Sequence, residues 1–367
     1  MTEPLTRLLH DVGDDVTAPP PPTSAVLERG RHLRRRRTAV LSAGVSVAVV
    51  AVLTGALLLP GGGDDRAVDP VAPSGPTFDG VTFAVGDEVY LDGGETVVQI
   101  DDRAVKSLYY SSVGVVVRHG NDSASDGGGP QRFTLIRPDG TVSPASVETE
   151  ETAHGVDPDQ PYLAWAEAAG GGVEVVVHDV GTDTEVARVP VEGRFTWSPP
   201  PVALEGDTVY VGGRPGEDPA FLAVDWRTGE VTESERTGYF PQLTGERTVE
   251  YDREPTVVDV TSGEVLYTAD GRDGFLTLSP DGRFVAETGF DERTFENLDA
   301  TVVDLDTGAG LEMPGSDVGW SEGGQPFVVG GGEVTVCDGT SGDCLTEDVD
   351  LGTKRPQVQL GGRTYES

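Results

Sequence analysis

Two hydrophobic patterns follow one another along the chain and predict different structures. The first is AVLSAGVSVAVVAVLTGALLL, Ala39 to Leu59, an apolar run of 21 residues without a charge. As a helix it would reach roughly 31 Å, close to the roughly 30 Å hydrocarbon core of a bilayer. The second begins near Gly80. There, short β-branched and roughly alternating runs are separated by clusters of Gly, Pro, Asp and Ser, the signature of successive strands and tight turns. Between the two, PGGGDDRAVDPVAPSGPTFD (residues 60–79) has no apolar period and reads as a stalk.

The strand region repeats. One recurring piece is a turn flanked by strands: TLSPDGRFVA at 277–286, TWSPPPVAL at 196–204 and GWSEGGQPFVV at 319–329. Weaker copies stand at 109–117, 155–164 and 239–249. Their turn positions Ser111, Asp157, Ser198, Pro241, Ser279 and Ser321 are 46, 41, 43, 38 and 42 residues apart. A second piece follows the later turns: HDVGTD, VDWRTGEV, VDVTSGEV, VDLDTGAG and CDGTSGDC. In it Asp179, Asp225, Asp259, Asp304 and Asp338 each precede by four residues Asp183, Gly229, Gly263, Gly308 or Gly342. An Asp opening a tight turn can accept hydrogen bonds from the backbone N–H groups just ahead of it. The Gly, or Asp183 in its place, can take the left-handed conformation that a short hairpin loop requires.

About four antiparallel strands per forty-odd residues is the period of a β-propeller blade. SPDGRFVA (Ser279–Ala286) resembles the blade motif of TolB-like and WD-repeat-like bacterial propellers, and WSPPP and WSEGG are similar to degenerate copies of it. The resemblance covers most of 80–367 and implies an all-β fold. Seven blades are expected, with six as the alternative: the three strands of Val81–Ile100 need a fourth, and a C-terminal strand around Pro356–Leu360 can supply it and close the ring. The polar stretch NDSASDGGGPQ (121–131) reads as a loop protruding from an early blade.

Charge orients the chain. Residues 1–38 carry seven arginines and five acids; residues 61–367 carry 19 basic and 58 acidic groups. Arg34, Arg35, Arg36 and Arg37 stand directly before the apolar run, which places residues 1–38 in the cytoplasm and the propeller outside. A cleaved signal peptide is the competing reading, but the run is long for one and Leu57-Leu58-Leu59-Pro60 is a poor cleavage site. The domain expectation is a tail (1–38), a transmembrane helix (39–59), a stalk (60–79) and an extracytoplasmic propeller (80–367). A net charge of -37 argues against a nucleic-acid partner. Two lysines against 24 arginines suggest a GC-rich genome, and the layout resembles the membrane-bound propeller proteins of actinobacteria, some encoded near sigma factors.

Candidate chemistry is sparse. Cys337 and Cys344 flank one hairpin turn and are expected to form a disulfide outside the cell. There is no G-x-S-x-G elbow, H-E-x-x-H or P-loop. His119 and His154 stand near loop boundaries and are expected to be solvated; His178 takes the place of Val224, Val258 and Val303 in other repeats and is expected on a core-facing strand. Asp304-Leu305-Asp306 and Asp157-Pro158-Asp159 alternate acids but lack the rest of a calcium loop. Trp165, Trp197 and Trp320 are expected in the core, with Trp226, inside a turn, exposed.

These readings favour a non-enzymatic binding or scaffold module, without cofactor or metal, that presents a propeller rim to a protein, peptide or envelope ligand. Two alternatives stand beside it. Residues 5–12, LTRLLHDV, could form two amphipathic turns that engage a cytosolic regulator such as a sigma factor, making the chain a transmembrane signalling protein. An envelope hydrolase is the other.

Overall fold

In the computed structural model the described residues are 75–123, 129–150, 152–213, 220–237, 241–251, 254–269, 275–291, 296–352 and 357–363. Residues 1–74, which include the expected tail with its 5–12 segment, the apolar run 39–59 and most of the expected stalk, lie outside them, as do residues 124–128 of the expected 121–131 loop. Among the described residues no helix is long and apolar enough to cross a membrane.

The strand runs assemble into seven four-stranded antiparallel sheets, the blades of a propeller. Blade 2 shows the plan. Ala104–Ser111 is the inner strand, followed outward by Gly114–Gly120, Gln131–Ile136 and Val142–Thr149. Blades 3 to 7 repeat it, with inner strands Gly155–Val156, Val202–Glu205, Leu243–Thr244, Phe275–Leu278 and Gly319–Trp320. Blade 6 carries an extra hairpin, Phe290–Asp291 against Glu296–Asn297, between its second and third strands.

Blade 1 is built from both ends of the chain. Phe83–Val85, Glu88–Leu91 and Thr96–Gln99 form three strands, and Val358–Leu360 adds the inner one, with Phe83 opposite Leu360 and Val85 opposite Val358. Trp320 N–H then donates to the Gly361 carbonyl at 2.9 Å, and Gly361 N–H to the Thr82 carbonyl at 2.8 Å, linking blade 7 to blade 1. The closure pairs the edge of Phe83–Val85, on which another chain could otherwise build.

The core lies in the gaps between blades. Along a strand, successive side chains point to opposite faces, so one blade feeds two gaps. In blade 3, Leu163, Trp165 and Val176 pack toward blade 2 with Tyr109, Phe133 and Leu135. Their neighbours Ala164, Ala166, Val175 and Val177 pack toward blade 4 with Leu204, Val209 and Leu222. A strand buried on both faces needs a nearly continuous apolar run, which is what GVEVVVHD at 172–179 offers. The outer strand of the same blade, Thr184–Glu192, is largely exposed and carries Glu and Arg among its apolar residues.

Because neighbouring strands are antiparallel, the turn between strands one and two and the turn between strands three and four leave each blade from the same end. That end is called the turn face below. On it the five Asp residues of the second repeat piece act alike. Asp179 Oδ1 accepts from the N–H groups of Gly181 and Thr182 at 2.8 and 3.0 Å. Asp225, Asp259, Asp304 and Asp338 do the same for the residues two and three positions ahead. The N–H groups of Thr228 and Ser262 help hold the carboxyls of Asp225 and Asp259 below their ordinary pKa. Gly229, Gly263, Gly308 and Gly342 all have φ between 74° and 78°, and Asp183 takes φ 53° in the equivalent place. Cys337 and Cys344 face each other across the last of these hairpins and are joined by a disulfide.

Two of the six first-turn positions are misplaced by the sequence reading. Ser198 and Pro241 precede the inner strands of blades 4 and 5; the turns there are Gly206-Asp207 and Gly245-Glu246. Pro199, Pro200 and Pro201 have no N–H to give a ladder, so WSPPP serves as the entry to a strand, and Gly206 at φ 57° makes the turn. The tryptophans also depart from expectation. Trp226 is only 6% exposed: its ring meets Tyr162 edge to face, Arg227 lies over it at 4.1 Å, and its Nε1–H donates to the Gly206 carbonyl. Trp197 is the exposed one, at 37%.

Candidate functional site

A girdle of hydrogen bonds ties the blades together on the turn face. Tyr110 Oη lies 2.8 Å from both the Gly80 and the Trp320 carbonyls, joining blades 7, 1 and 2. Arg137 donates to the Gly181 carbonyl, from blade 2 to blade 3. Asp157 Oδ2 accepts from Gly206 N–H at 2.7 Å, from blade 4 to blade 3, and Glu205 Oε1 accepts from Glu246 N–H at 2.7 Å, from blade 5 to blade 4. Arg247 reaches the Gly282 carbonyl in blade 6, and Arg283 reaches Thr340 in blade 7. Residues 40 or so apart in sequence thus hold one another in place around the axis.

Inside that girdle lies a shallow, solvent-open recess that encloses only about 30 Å³, lined by residues of blades 2 to 6 and by Gly362 and Arg363 after the closing strand. Its wall is mostly apolar, with Val156, Pro158, Leu204 and Leu243 on the inner strands and turns of blades 3 to 5. Tyr109, Tyr110, His154 and Arg363 also line it. Tyr109 and Tyr110 are neighbours on one strand and so face opposite ways: Tyr109 packs in the gap toward blade 3, and Tyr110 bonds toward blades 1 and 7. Arg363 donates to the Val318 carbonyl and to Asp317 at 3.1 and 3.0 Å.

His154 is not the solvated loop residue its position suggested. It is 3% exposed, meets Phe133 edge to face at 4.8 Å, and has Nε2 3.0 Å from Thr149 Oγ1. Burial, aided by the charge of Arg118, pushes its pKa well below the ordinary value, so the ring is neutral. Its Nδ1 and the hydroxyl of Tyr109 are both shut off from solvent and find no hydrogen-bond partner among the described residues. Such groups are few in folded proteins and each is costly. The spacing of neither residue announced this, because it arises from the packing of two blades.

Beside the recess, carboxylates crowd together. Burial raises the pKa of Glu205, and the negative charges of Asp157 and Glu246 raise it further. Asp157 is stabilised by Asp159 N–H, Gly206 N–H and Gln160 Nε2. Among the described residues no group of three or more His, Cys, Asp or Glu side chains could hold a metal ion.

His119 is also buried, at the end of a strand in blade 2 and away from the recess wall. Its Nδ1 lies 2.7 Å from Asp102 Oδ2 and its Nε2 3.0 Å from Thr134 Oγ1. Burial alone would raise the pKa of Asp102, but hydrogen bonds from His119 and Arg132 outweigh it and hold the carboxyl low. With Asp102 ionised, it accepts from Nδ1–H of His119, and Nε2 pairs with the threonine hydroxyl. The order Asp–His–Thr resembles a catalytic relay, yet Thr134 is buried. The arrangement fastens the loop entering blade 2. His178 sits buried on its strand as expected, with Nε2 3.0 Å from Asp183 Oδ1; that same oxygen accepts from Ser146 of the preceding blade.

No family model matches the chain, and no curated protein does. Solved structures similar to it include hydrazine synthase of Kuenenia stuttgartiensis, at 18% identity and a TM-score of 0.43 over 67% of this chain and 79% of that one. TolB of Acinetobacter baumannii matches at 12% identity and a TM-score of 0.40, covering 77% of this chain and 65% of that one. A putative 6-phosphogluconolactonase of Bacteroides fragilis matches at 13% and 0.45, covering 80% and 99%. Likenesses at this level carry no argument about activity or ligand.

Proposed function

We propose that this chain is a membrane-anchored, extracytoplasmic propeller that binds its ligand at the axial recess of the turn face and performs no chemistry on it. The single observation that carries the binding reading is the recess: concave, mostly apolar and framed by a girdle of inter-blade hydrogen bonds that holds its rim. Concave, mostly apolar openings with a few fixed polar groups at their rim are the usual form of ligand sites. The anchor rests on the uncharged run Ala39–Leu59, with Arg34, Arg35, Arg36 and Arg37 before it and the acidic propeller after it.

The test has two arms. Protease applied to intact cells should shave the propeller while leaving the N-terminal tail intact; recovery of the full chain from the soluble cytosol would remove the anchor. For the site, Pro158→Trp at the recess mouth should abolish capture of the envelope component that the unaltered protein retains. Equal capture by the variant would place the ligand elsewhere. Turnover of ester, peptide or glycoside substrates, lost in the same variant, would make the protein an enzyme.

A further inference from the structure

Exposed apolar side chains are unevenly placed on this ring. Val142, Val186, Val231, Val265 and Leu345 stand one to a blade on the outermost strands of blades 2, 3, 4, 5 and 7, a scatter that any folded protein shows. Four others gather in one place, at the end of the ring opposite the turn face, where the inner strand of blade 6 begins and its extra hairpin leaves. Phe275 opens that inner strand and is 59% exposed; it pairs with Thr288, two residues before the exposed Phe290 of the hairpin. Leu298, 51% exposed, follows the hairpin and donates its N–H to the Gly289 carbonyl at 2.8 Å. From blade 5, the Tyr251 hydroxyl donates to the Leu276 carbonyl at 3.3 Å, which ties a fourth exposed side chain to the same strand. Aromatic and aliphatic side chains clustered in this way at the surface, with polar residues around them, form the centres of protein interfaces.

Charge around the cluster selects the partner. Glu254, next to the Tyr251–Pro255 pair, and Asp299, next to Leu298, are exposed carboxylates, and no salt bridge among the described residues neutralises either. They belong to a region, residues 61–367, with 58 acidic groups against 19 basic ones. A second copy of the chain would bring like charge to like, and so would anionic lipid headgroups. A polypeptide with Lys or Arg beside its apolar side chains would be drawn in. The patch also lies at the other end of the ring from the point where the described chain arrives, at Thr77, whose N–H donates to Oε1 of Gln325 in the blade 7 turn at 3.2 Å. We propose that this patch docks a cationic polypeptide segment, whose leucine or aromatic side chains pack on Phe275, Phe290, Leu298 and Tyr251 while its Lys or Arg face Glu254 and Asp299. It is a second surface, independent of the recess on the turn face.

The experiment uses the full chain in nanodiscs of phosphatidylcholine. Short random peptides displayed on phage are selected against it, and the enriched ones are synthesised and titrated by fluorescence anisotropy. Enrichment of sequences that place Leu, Phe or Trp beside Lys or Arg is expected. Their affinity should fall about tenfold in Phe275→Ser and in Leu298→Ser. Both variants remove exposed side chains and should melt within about 2 °C of the unaltered protein. Glu254→Gln combined with Asp299→Asn should weaken binding about threefold at low salt and make it less salt-dependent. No enrichment, enriched peptides that lack basic residues, or peptides that bind both serine variants undiminished would overturn the assignment. The other occupants are read separately, by mass photometry for discs joined in pairs and by co-flotation with phosphatidylglycerol vesicles. Paired discs or flotation, lost in Phe275→Ser, would give the patch to a second copy or to a lipid surface and overturn the polypeptide.

Discussion

His154 makes the stability of the propeller depend on pH in a window where few other groups titrate. In the folded chain the ring is buried against Phe133 and stays neutral, with its pKa pushed well below the ordinary value of 6.5. In the unfolded chain the same ring binds a proton as pH falls through 6.5. The stabilisation is therefore complete above that value and is lost progressively below it. Between pH 7.5 and 5.5 the unfolded state gains about 1.4 kcal/mol from this one proton. For a body of about 290 residues, unfolding near 60 °C carries an entropy of about 0.6 kcal/mol/K, so the midpoint should fall by about 2 °C. Differential scanning calorimetry across that range, on the protein and on His154→Gln, isolates the effect, since groups common to both cancel in the difference. The variant starts lower, having lost its packing on Phe133, but its curve should be flatter by that 2 °C. Parallel curves would mean that His154 is protonated or exposed in the folded state.

Three further outcomes follow from the fold. Replacing Cys337 and Cys344 together by serine should cost about 2.5 kcal/mol in urea unfolding, the value expected for so short a closed loop; reduced wild-type protein should match the variant, and equal midpoints under oxidising conditions would contradict it. Leu360→Ala, in the C-terminal strand that completes blade 1, should cost about 3 kcal/mol, because the side chain is buried against Phe83 and Phe327. Removing residues 357–367 should leave the Phe83–Val85 edge open and yield aggregated protein, read by size-exclusion chromatography; a monomeric, cooperatively melting product would show that the ring does not need its closing strand.

What could be read from the amino-acid sequence was chemistry confined to a few neighbouring residues. Asp259 and Gly263, or Asp304 and Gly308, sit four apart in one turn, so the hydrogen bonds and left-handed glycine they require are dictated locally. The same holds for Cys337 and Cys344, and for the period from which seven blades with a shared first blade could be counted. Where the local signal was ambiguous, the reading slipped. The prolines after Trp197 resemble a turn motif, and only strand pairing shows the turn to be at Gly206.

The recess belongs to the tertiary structure alone. Tyr109 and His154 come from successive blades, and the loss of their partners is a property of the gap between blades 2 and 3. Glu205 meets Glu246, and Asp157 meets Gly206, across more than forty residues. Trp226 is buried by Tyr162 of another blade, and His119 by Asp102 and Thr134. Turn chemistry acts over two or three peptide units and is written in consecutive letters. Burial, charge neutralisation and unsatisfied hydrogen bonds depend on which side chains the closed ring brings face to face, and those are specified only once every blade is in place.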